Sequence, residues 1–202
     1  MNISILFVLL FFASSQVVAQ EQTLITGKVE HGGFGGPVVN ISQVREEMAV
    51  FVGGRGGWII NHMFSIGGGG YGMVTEVNAP EEADKHYGRE LNINFGYGGF
   101  VSEFIVNSDN LIHYTLSALI GAGGVTYTED IEGEGQEEKA FEKSDAVLVF
   151  EPAIHGELNV TEWFRINAGI SYRVISGLDL YELNKSDLGG PAIQITFKFG
   201  TF

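Results

Sequence analysis

The chain has no cysteine, few prolines and few basic residues, and these shortages exclude several classes of protein. Without cysteine there can be neither a disulfide framework nor a cysteine-linked lipid anchor. With 11 Lys and Arg against 25 Asp and Glu, the net charge of −14 argues against nucleic acid as a partner, because phosphate contacts need clustered cations. Beyond the first residues, no apolar run reaches the ~20 residues of a membrane-crossing helix, so any membrane span must consist of strands.

The beginning of the chain is typical of a secretory signal peptide. Residues 3–13 are apolar, and Val17, Val18 and Ala19 are small residues before a plausible cleavage point. An uncleaved membrane anchor is the alternative, although the run is short for one. We therefore expect the chain to leave the cytoplasm after removal of residues 1–19.

A strict two-residue alternation of apolar and polar side chains marks the end of the chain. Arg165, Asn167 and Arg173 lie between apolar neighbours, and Gln194, Thr196 and Lys198 repeat the pattern after a polar loop. Successive side chains of a strand point to opposite faces, so each segment is a strand with one apolar and one polar face. The apolar positions are Phe164, Ile166, Ala168, Ile170, Tyr172, Val174, Ile193, Ile195, Phe197 and Phe199.

The whole chain after the leader divides into eight such strands. Their expected bounds are 36–44, 48–60, 64–77, 91–106, 111–128, 146–159, 163–176 and 191–202. Short and long connections alternate, as in outer-membrane barrels, except for a short first connection at residues 45–47. The fold class that this predicts is an all-β, eight-stranded, antiparallel up-and-down transmembrane β-barrel. We expect an N-terminal periplasmic segment at residues 20–35 and the outer-membrane barrel at residues 36–202.

The fourth predicted strand departs from simple alternation. Apolar side chains occupy odd positions from Leu91 to Tyr97 and then even positions at Phe100 and Phe104. An extra residue in a strand moves every following side chain to the other face. We therefore expect a β-bulge at Gly98-Gly99.

Glycine is concentrated in short runs at residues 32–36, 53–57, 67–70 and 123–124. A phosphate-binding loop would place such glycines between a strand and a helix, but no helical pattern follows them. The runs instead indicate the tight coiling of a narrow barrel.

The polar faces of the strands carry a set of charged and histidine side chains. Burying Arg or Lys at the lipid midplane costs ~2–4 kcal/mol, so these groups should point into the barrel. The interior of an eight-stranded barrel is filled by side chains, and we expect the opposite charges to pair there and leave no open pore. We expect no catalytic residue, cofactor or metal ligand. The residues of this predicted polar network are Arg55, Glu103, His113, Glu151, His155, Glu157, Arg165, Arg173 and Lys198.

Two other functions fit parts of the pattern. In a secreted soluble barrel the apolar face would line a cavity for an apolar ligand. A rim-active lipid-modifying enzyme would use His113 or His155 with Glu151, Glu157 or Ser117. The acidic loop at residues 129–145 could gather Ca²⁺, but it lacks the ligand spacing of an EF-hand, and a solvated loop is expected.

Several sequence blocks resemble a known group of proteins. They are Gly-Gly-Phe-Gly-Gly-Pro at 32–37, Gly-Gly-Arg-Gly-Gly-Trp at 53–58, Glu-Leu-Asn-Val-Thr-Glu-Trp-Phe-Arg at 157–165 after Glu151-Pro152, and Tyr172-Arg173. As a set they resemble small uncharacterised outer-membrane β-barrel proteins of Bacteroidota-type bacteria, over residues 30–202. The resemblance implies a membrane barrel and supplies no catalytic residues.

The final Phe202 is similar to the C-terminal aromatic residue by which the outer-membrane assembly machinery recognises barrels. The apolar positions of the last strand are out of phase with Phe202, unless Gly200 forms a bulge. We expect a monomeric, integral outer-membrane protein with a structural or surface-interaction role. Its partners would be outer-membrane lipids and, through Phe202, the assembly machinery.

Overall fold

The protein is a closed antiparallel barrel of eight strands in a computed structural model that describes residues 28–129 and 143–202. The strands are β1 (His31–Val44), β2 (Glu47–Ile60), β3 (Phe64–Met73), β4 (Leu91–Val106), β5 (Ile112–Glu129), β6 (Lys143–Thr161), β7 (Phe164–Ser176) and β8 (Gly190–Thr201). Each strand pairs with its sequence neighbours, and β8 closes the barrel on β1. The predicted fold class is confirmed. The expected signal peptide and most of the acidic loop lie outside the described residues.

The strand bounds agree with expectation to within three residues except at two places. β1 begins at His31 rather than at residue 36, so residues 31–35 belong to the barrel wall and not to a preceding segment. β3 ends at Met73 rather than at residue 77, because the chain turns there toward the mouth of the barrel. No helix in residues 28–129 or 143–202 is long and apolar enough to cross a membrane.

Short turns gather at one end of the barrel, called here the turn end, and long loops at the other, the loop end. The turn end has residues 61–63, 107–111 and 162–163, and the loop end has residues 74–90 and 177–189. The short connection at the loop end is a two-residue turn of Arg45 and Glu46, with φ angles of 50° and 67°. Two left-handed residues make the hairpin turn whose twist matches its strands, which explains how this loop can be so short.

The side chains alternate between the interior and the outer surface along every strand. On β7, Arg165, Asn167 and Arg173 are buried, whereas Ile170 and Tyr172 are exposed. The polar side chains of β7 therefore point into the barrel.

The predicted bulge at Gly98-Gly99 is wrong. The pairing of β4 with β3 and with β5 runs through this point without a shift of register. Leu91, Phe95 and Tyr97 point inward together with Glu103, and Phe100 points outward. The apparent change of face arises because the inward side of β4 is itself apolar near the loop end.

Two short helices close the mouth at the loop end. They are α1 (Glu81–Tyr87) and α2 (Lys185–Leu188). Ala83 of α1 and Leu188 of α2 are both fully buried, and Val77 and Leu183 join them in the same apolar core. These two loops are largely polar in sequence, yet their buried apolar residues cover the barrel interior at the loop end. We call residues 74–90 and 177–189 together the lid.

The glycine runs bring β2, β3, β4 and β5 unusually close together. A Cβ atom at Gly67 would lie 1.9 Å from the carbonyl oxygen of Gly56, and one at Gly121 would lie 2.0 Å from that of Gly98. No side chain fits at these approaches. The glycine runs lie within strands, as expected if they allow the tight coiling of a narrow barrel.

Candidate functional site

All nine residues of the predicted polar network lie inside the barrel. Each is at most 7% exposed, and they come from β2, β4, β5, β6, β7 and β8. They form two clusters, a charged cluster toward the turn end and a smaller cluster around Glu151 near the middle of the barrel.

Glu157 is the centre of the charged cluster. Its carboxylate lies 2.7 Å from Lys198 Nζ, 3.2 Å from an Arg165 Nη and 3.2 Å from His113 Nε2. The amide of Asn167 donates a further hydrogen bond of 3.0 Å to it. Lys198, Arg165 and Asn167 thus donate to one buried carboxylate that His113 also contacts, and such pairing is what a buried charge requires.

A second carboxylate, Glu103, shares the same lysine. Lys198 Nζ lies 2.8 Å from Glu103, and an Arg55 Nη lies 3.2 Å from it. Lys198 therefore bridges two carboxylates on strands that are not neighbours. The ion pairs tie β2, β4, β6, β7 and β8 together across the interior.

Neutral side chains from outside the predicted network extend this cluster. Asn167 accepts from Arg55 at 3.0 Å, and Gln194 Oε1 lies 3.3 Å from Arg55 and 3.0 Å from His155 Nε2. Both Asn167 and Gln194 share the inward phase of charged residues on their strands. That shared phase is the signal by which they could have been found.

Glu151 forms the second cluster with neutral donors. Tyr97 donates to it at 2.6 Å, Ser171 at 2.5 Å and the Asn40 amide at 3.3 Å. Arg173 reaches this cluster through Tyr97, whose hydroxyl lies 3.4 Å from an Arg173 Nη. The Glu151 carboxylate and the Arg173 cation are therefore linked by a phenol.

Arg173 joins the interior to the lid. Its Nε donates to the Leu188 carbonyl at 2.7 Å, and an Nη donates to Ser42 Oγ at 3.0 Å. Its guanidinium lies 4.6 Å from the ring centre of Phe51 and 5.3 Å from that of Phe95. One cation thus holds α2 over an aromatic layer.

Side chains of the two clusters and of an apolar core occupy the barrel interior. Between the two clusters lies a cavity of about 10 Å³, bordered by Arg55, Tyr71, Glu151 and Gln194. This is about the space of one water molecule. Above it, apolar side chains from the strands and the lid form a continuous core.

At the turn end of the barrel, two buried cations lie against aromatic rings. The Arg165 guanidinium lies 4.1 Å from the ring centre of Phe202, and Lys198 Nζ lies 4.5 Å from that of Phe34. β8 keeps its register with β1 up to Thr201, so Gly200 does not form the bulge considered above. Phe202 therefore has the inward phase of Lys198.

The histidines are not placed as a rim-active enzyme would require. His113 and His155 are each 1% exposed inside the barrel. His113 contacts Glu157, but that carboxylate is already shared with Lys198 and Arg165. No cluster of three or more His, Cys, Asp or Glu side chains suited to a metal ion occurs within residues 28–129 and 143–202.

Comparison with known proteins gives matches among solved structures only. No family model and no curated protein matches the chain. A major outer membrane protein from Thermus thermophilus is 4% identical, with a TM-score of 0.53 over 84% of this chain and 99% of that one. Neisserial surface protein A is 11% identical, with a TM-score of 0.47 over 86% and 97%.

The N-terminal β-barrel domain of Pseudomonas aeruginosa OprF is 10% identical, with a TM-score of 0.45 over 84% of this chain and 96% of that domain. At these identities the likeness concerns the fold. The chain is similar in overall fold to the Thermus outer-membrane protein, and in this chain that fold is a closed eight-stranded antiparallel barrel.

Proposed function

We propose that this chain is an integral protein of a bacterial outer membrane, with a structural or surface-interaction role and no open pore. The observation that carries the proposal is the inverted distribution of side chains on the barrel wall. Charged groups are buried inside, whereas large apolar residues are exposed outside. Examples of the exposed residues are Ile112 at 65%, Leu148 at 65%, Ile170 at 62% and Ile120 at 61%. Hydrocarbon is the solvent that suits such a surface.

The filled interior supports a role other than transport. The paired charges occupy the turn half of the barrel, and the lid covers the loop half. A soluble barrel that binds an apolar ligand would need an apolar cavity inside and a polar wall outside. The described residues are arranged in the opposite sense, which favours the membrane protein over that alternative.

The loop end offers the surface for interaction. α1 and α2 cover the mouth there, and their exposed residues include Glu81 and Glu82 of α1 and Lys185 of α2. Tyr181, which is 42% exposed, stacks on His86 with ring centres 4.4 Å apart and so joins the two long loops into one surface. A loop surface of this kind suits recognition at the cell exterior.

The partners and origin belong to the same proposal. Outer-membrane lipids would contact the wall, and the barrel would be a monomer, since its strands leave no free edge. The assembly machinery would recognise Phe202 before folding, because the folded barrel turns this ring toward Arg165. The proposed source is a Bacteroidota-type bacterium, on the resemblance of the sequence blocks alone.

Cell fractionation combined with surface proteolysis tests the proposal. The protein should float with outer membranes, resist extraction by carbonate, and migrate differently on gels before and after boiling. Protease added to intact cells should cut within residues 74–90 or 177–189. A protein found in the aqueous fraction, or cut on intact cells within residues 107–111, would contradict the location or the orientation.

A further inference from the structure

The two ends of the barrel differ, because the lid covers the loop end whereas a polar cup opens at the turn end. The cup has a volume of about 390 Å³ and lies among the three turns and the end of the chain. That volume is at the lower end of the range of small-molecule sites. The most buried lining residues, Ser108 and Arg165, form its floor, and the exposed Asp109 and Glu162 form its rim.

A cation lies at the floor of the cup. One Nη of Arg165 is 3.2 Å from the Glu157 carboxylate, and the ring centre of Phe202 lies 4.1 Å from the guanidinium. The Nε and the other Nη of Arg165 have no hydrogen-bond partner within residues 28–129 and 143–202, and neither is a fully enclosed atom. A molecule in the cup can therefore accept hydrogen bonds from a cation that is more than nine-tenths buried.

The charges beneath this floor do not balance. The charged cluster contains three cations and two carboxylates, which are Arg55, Arg165, Lys198, Glu103 and Glu157. Protonation of His113 would only add to the positive excess. Because a buried ion without a counter-charge is costly, a further anionic group is favoured near this cluster. Arg165 is the cation of the cluster that lines the cup, so the cup is where such a group can enter.

The rim of the cup has the opposite charge. Asp109 of the β4–β5 turn and Glu162 of the β6–β7 turn are exposed, and neither has an ion-pair partner in the part of the chain that the structure describes. His62 also lines the cup, but Glu30 already holds it at 2.8 Å. The two rim carboxylates would repel a phosphate dianion and attract an ammonium group. The arrangement therefore suits a zwitterion whose carboxylate reaches the floor.

The wall of the cup is fixed by hydrogen bonds within the protein. The side-chain amide of Asn159 donates to the carbonyl oxygens of Ser108 and Asn110, each at 2.8 Å, and so ties the β4–β5 turn to the end of β6. The Ser108 hydroxyl itself has no hydrogen-bond partner among the described side chains and backbone groups. It can donate to, or accept from, the amide group of a peptide. A wall that is already ordered lowers the cost of binding.

We propose that the cup binds a short peptide that carries a free carboxylate and free ammonium groups. The carboxylate pairs with Arg165, the ammonium groups pair with Asp109 and Glu162, and Ser108 contacts the peptide backbone. Hydrogen bonds between a guanidinium and a carboxylate are among the strongest in proteins. The source of the peptide rests on the membrane orientation proposed above, which places the turn end, and with it the cup, in the periplasm.

Isothermal titration calorimetry of the full protein in detergent micelles tests the site, with the dipeptide alanyl-lysine as the probe. This dipeptide has one carboxylate and two ammonium groups, which match one floor cation and two rim carboxylates. One molecule should bind with a Kd of about 1 mM or tighter. Alanyl-lysinamide, which lacks the carboxylate, should bind at least about tenfold more weakly, because it cannot pair with Arg165.

The exposed rim permits variants that leave the barrel interior unchanged. The double variant Asp109→Asn/Glu162→Gln should weaken binding of alanyl-lysine at least about fivefold at low salt, and less at high salt, because exposed charges are screened. Asp179→Asn is the matched control, since Asp179 is an exposed carboxylate in the lid, and it should bind the dipeptide like wild type. The gel shift on boiling checks that each variant is folded.

Each possible contrary result overturns a different part of the proposal. Equal binding of alanyl-lysine and its amide, or unchanged binding by the folded double variant, would overturn the site itself. Displacement of the dipeptide by an equal concentration of inorganic phosphate would overturn it in favour of a simple anion site. Free lysine bound as tightly as the dipeptide would overturn the assignment to a peptide. All of these results leave the membrane location intact, whereas protease cleavage within residues 107–111 on intact cells would refute the orientation and leave the binding data valid.

Discussion

Replacement of Glu157 by Gln should be among the most damaging single changes in the barrel interior. The carboxylate is 1% exposed and is the shared acceptor of Lys198, Arg165 and His113. A glutamine has the same shape but leaves the Arg165 and Lys198 cations without this counter-charge. Loss of one partner from a buried ion pair costs about 3–5 kcal/mol, because the remaining charge stays desolvated.

Replacement of Lys198 by Met should cost less than Glu157→Gln. Glu103 would keep Arg55 at 3.2 Å, and Glu157 would keep Arg165 at 3.2 Å, so each carboxylate retains one cation. The double variant Glu157→Gln/Lys198→Met removes one charge of each sign. It should therefore be less destabilised than the sum of the two single variants by about 0.5–3 kcal/mol, as for contacting residues in general.

Equilibrium unfolding in guanidinium, with the barrel refolded into lipid vesicles, measures these differences. Tryptophan fluorescence and the gel shift on boiling should report the same transition. Glu162→Gln is the matched control, since Glu162 is an exposed carboxylate in the β6–β7 turn, and it should stay within about 0.5 kcal/mol of wild type. A Glu157→Gln variant as stable as that control, or strict additivity in the double variant, would refute the central role of Glu157.

Three further changes probe other parts of the barrel. Gly121→Ala places a Cβ 2.0 Å from the Gly98 carbonyl oxygen and should lower the free energy of unfolding by about 1–3 kcal/mol or prevent folding. Gly124→Ala is its control: the space around that Cβ is open, so this variant should fold normally in the gel-shift assay. Leu188→Ala removes a fully buried side chain of the lid and should speed proteolysis within residues 177–189 while the barrel remains folded. An unchanged cleavage rate would show that Leu188 does not hold the lid in place. Ile120→Arg should destabilise the protein in vesicles by about 2–4 kcal/mol, and a neutral effect would mean that this wall position does not face lipid.

The sequence was sufficient to predict the fold because the two faces of most strands differ strongly in polarity. On β7, Arg165 and Arg173 mark one face, and Ile170 marks the other. The same contrast identified the buried charges on β6 and β8. On β4 the contrast fails, because Leu91 to Tyr97 are apolar yet inward, and the prediction placed them on the wrong face. These residues and Glu103 all have odd numbers, so on a regular strand they lie on the same face. Since Glu103 must point inward, the same face should have been assigned to them.

The partners of each charge could not be predicted from alternation. Lys198 and Glu103 are far apart in sequence and lie on strands that do not pair, so their contact depends on the stagger of the whole barrel. The lid was missed for another reason. Val77, Ala83 and Leu188 are scattered among polar loop residues without any period, and only their position over the mouth explains their burial.

The uneven filling of the interior has a consequence for how the barrel enters the bilayer. If it inserts from the periplasm, the loop end leads, and there the enclosed side chains are mostly hydrocarbon and aromatic. Five of the seven buried charged side chains among the described residues lie toward the trailing edge, around Glu157 and Glu103, and the other two are Glu151 and Arg173. Those ions can therefore stay hydrated through most of the passage, and dehydration is postponed until the wall around them has closed.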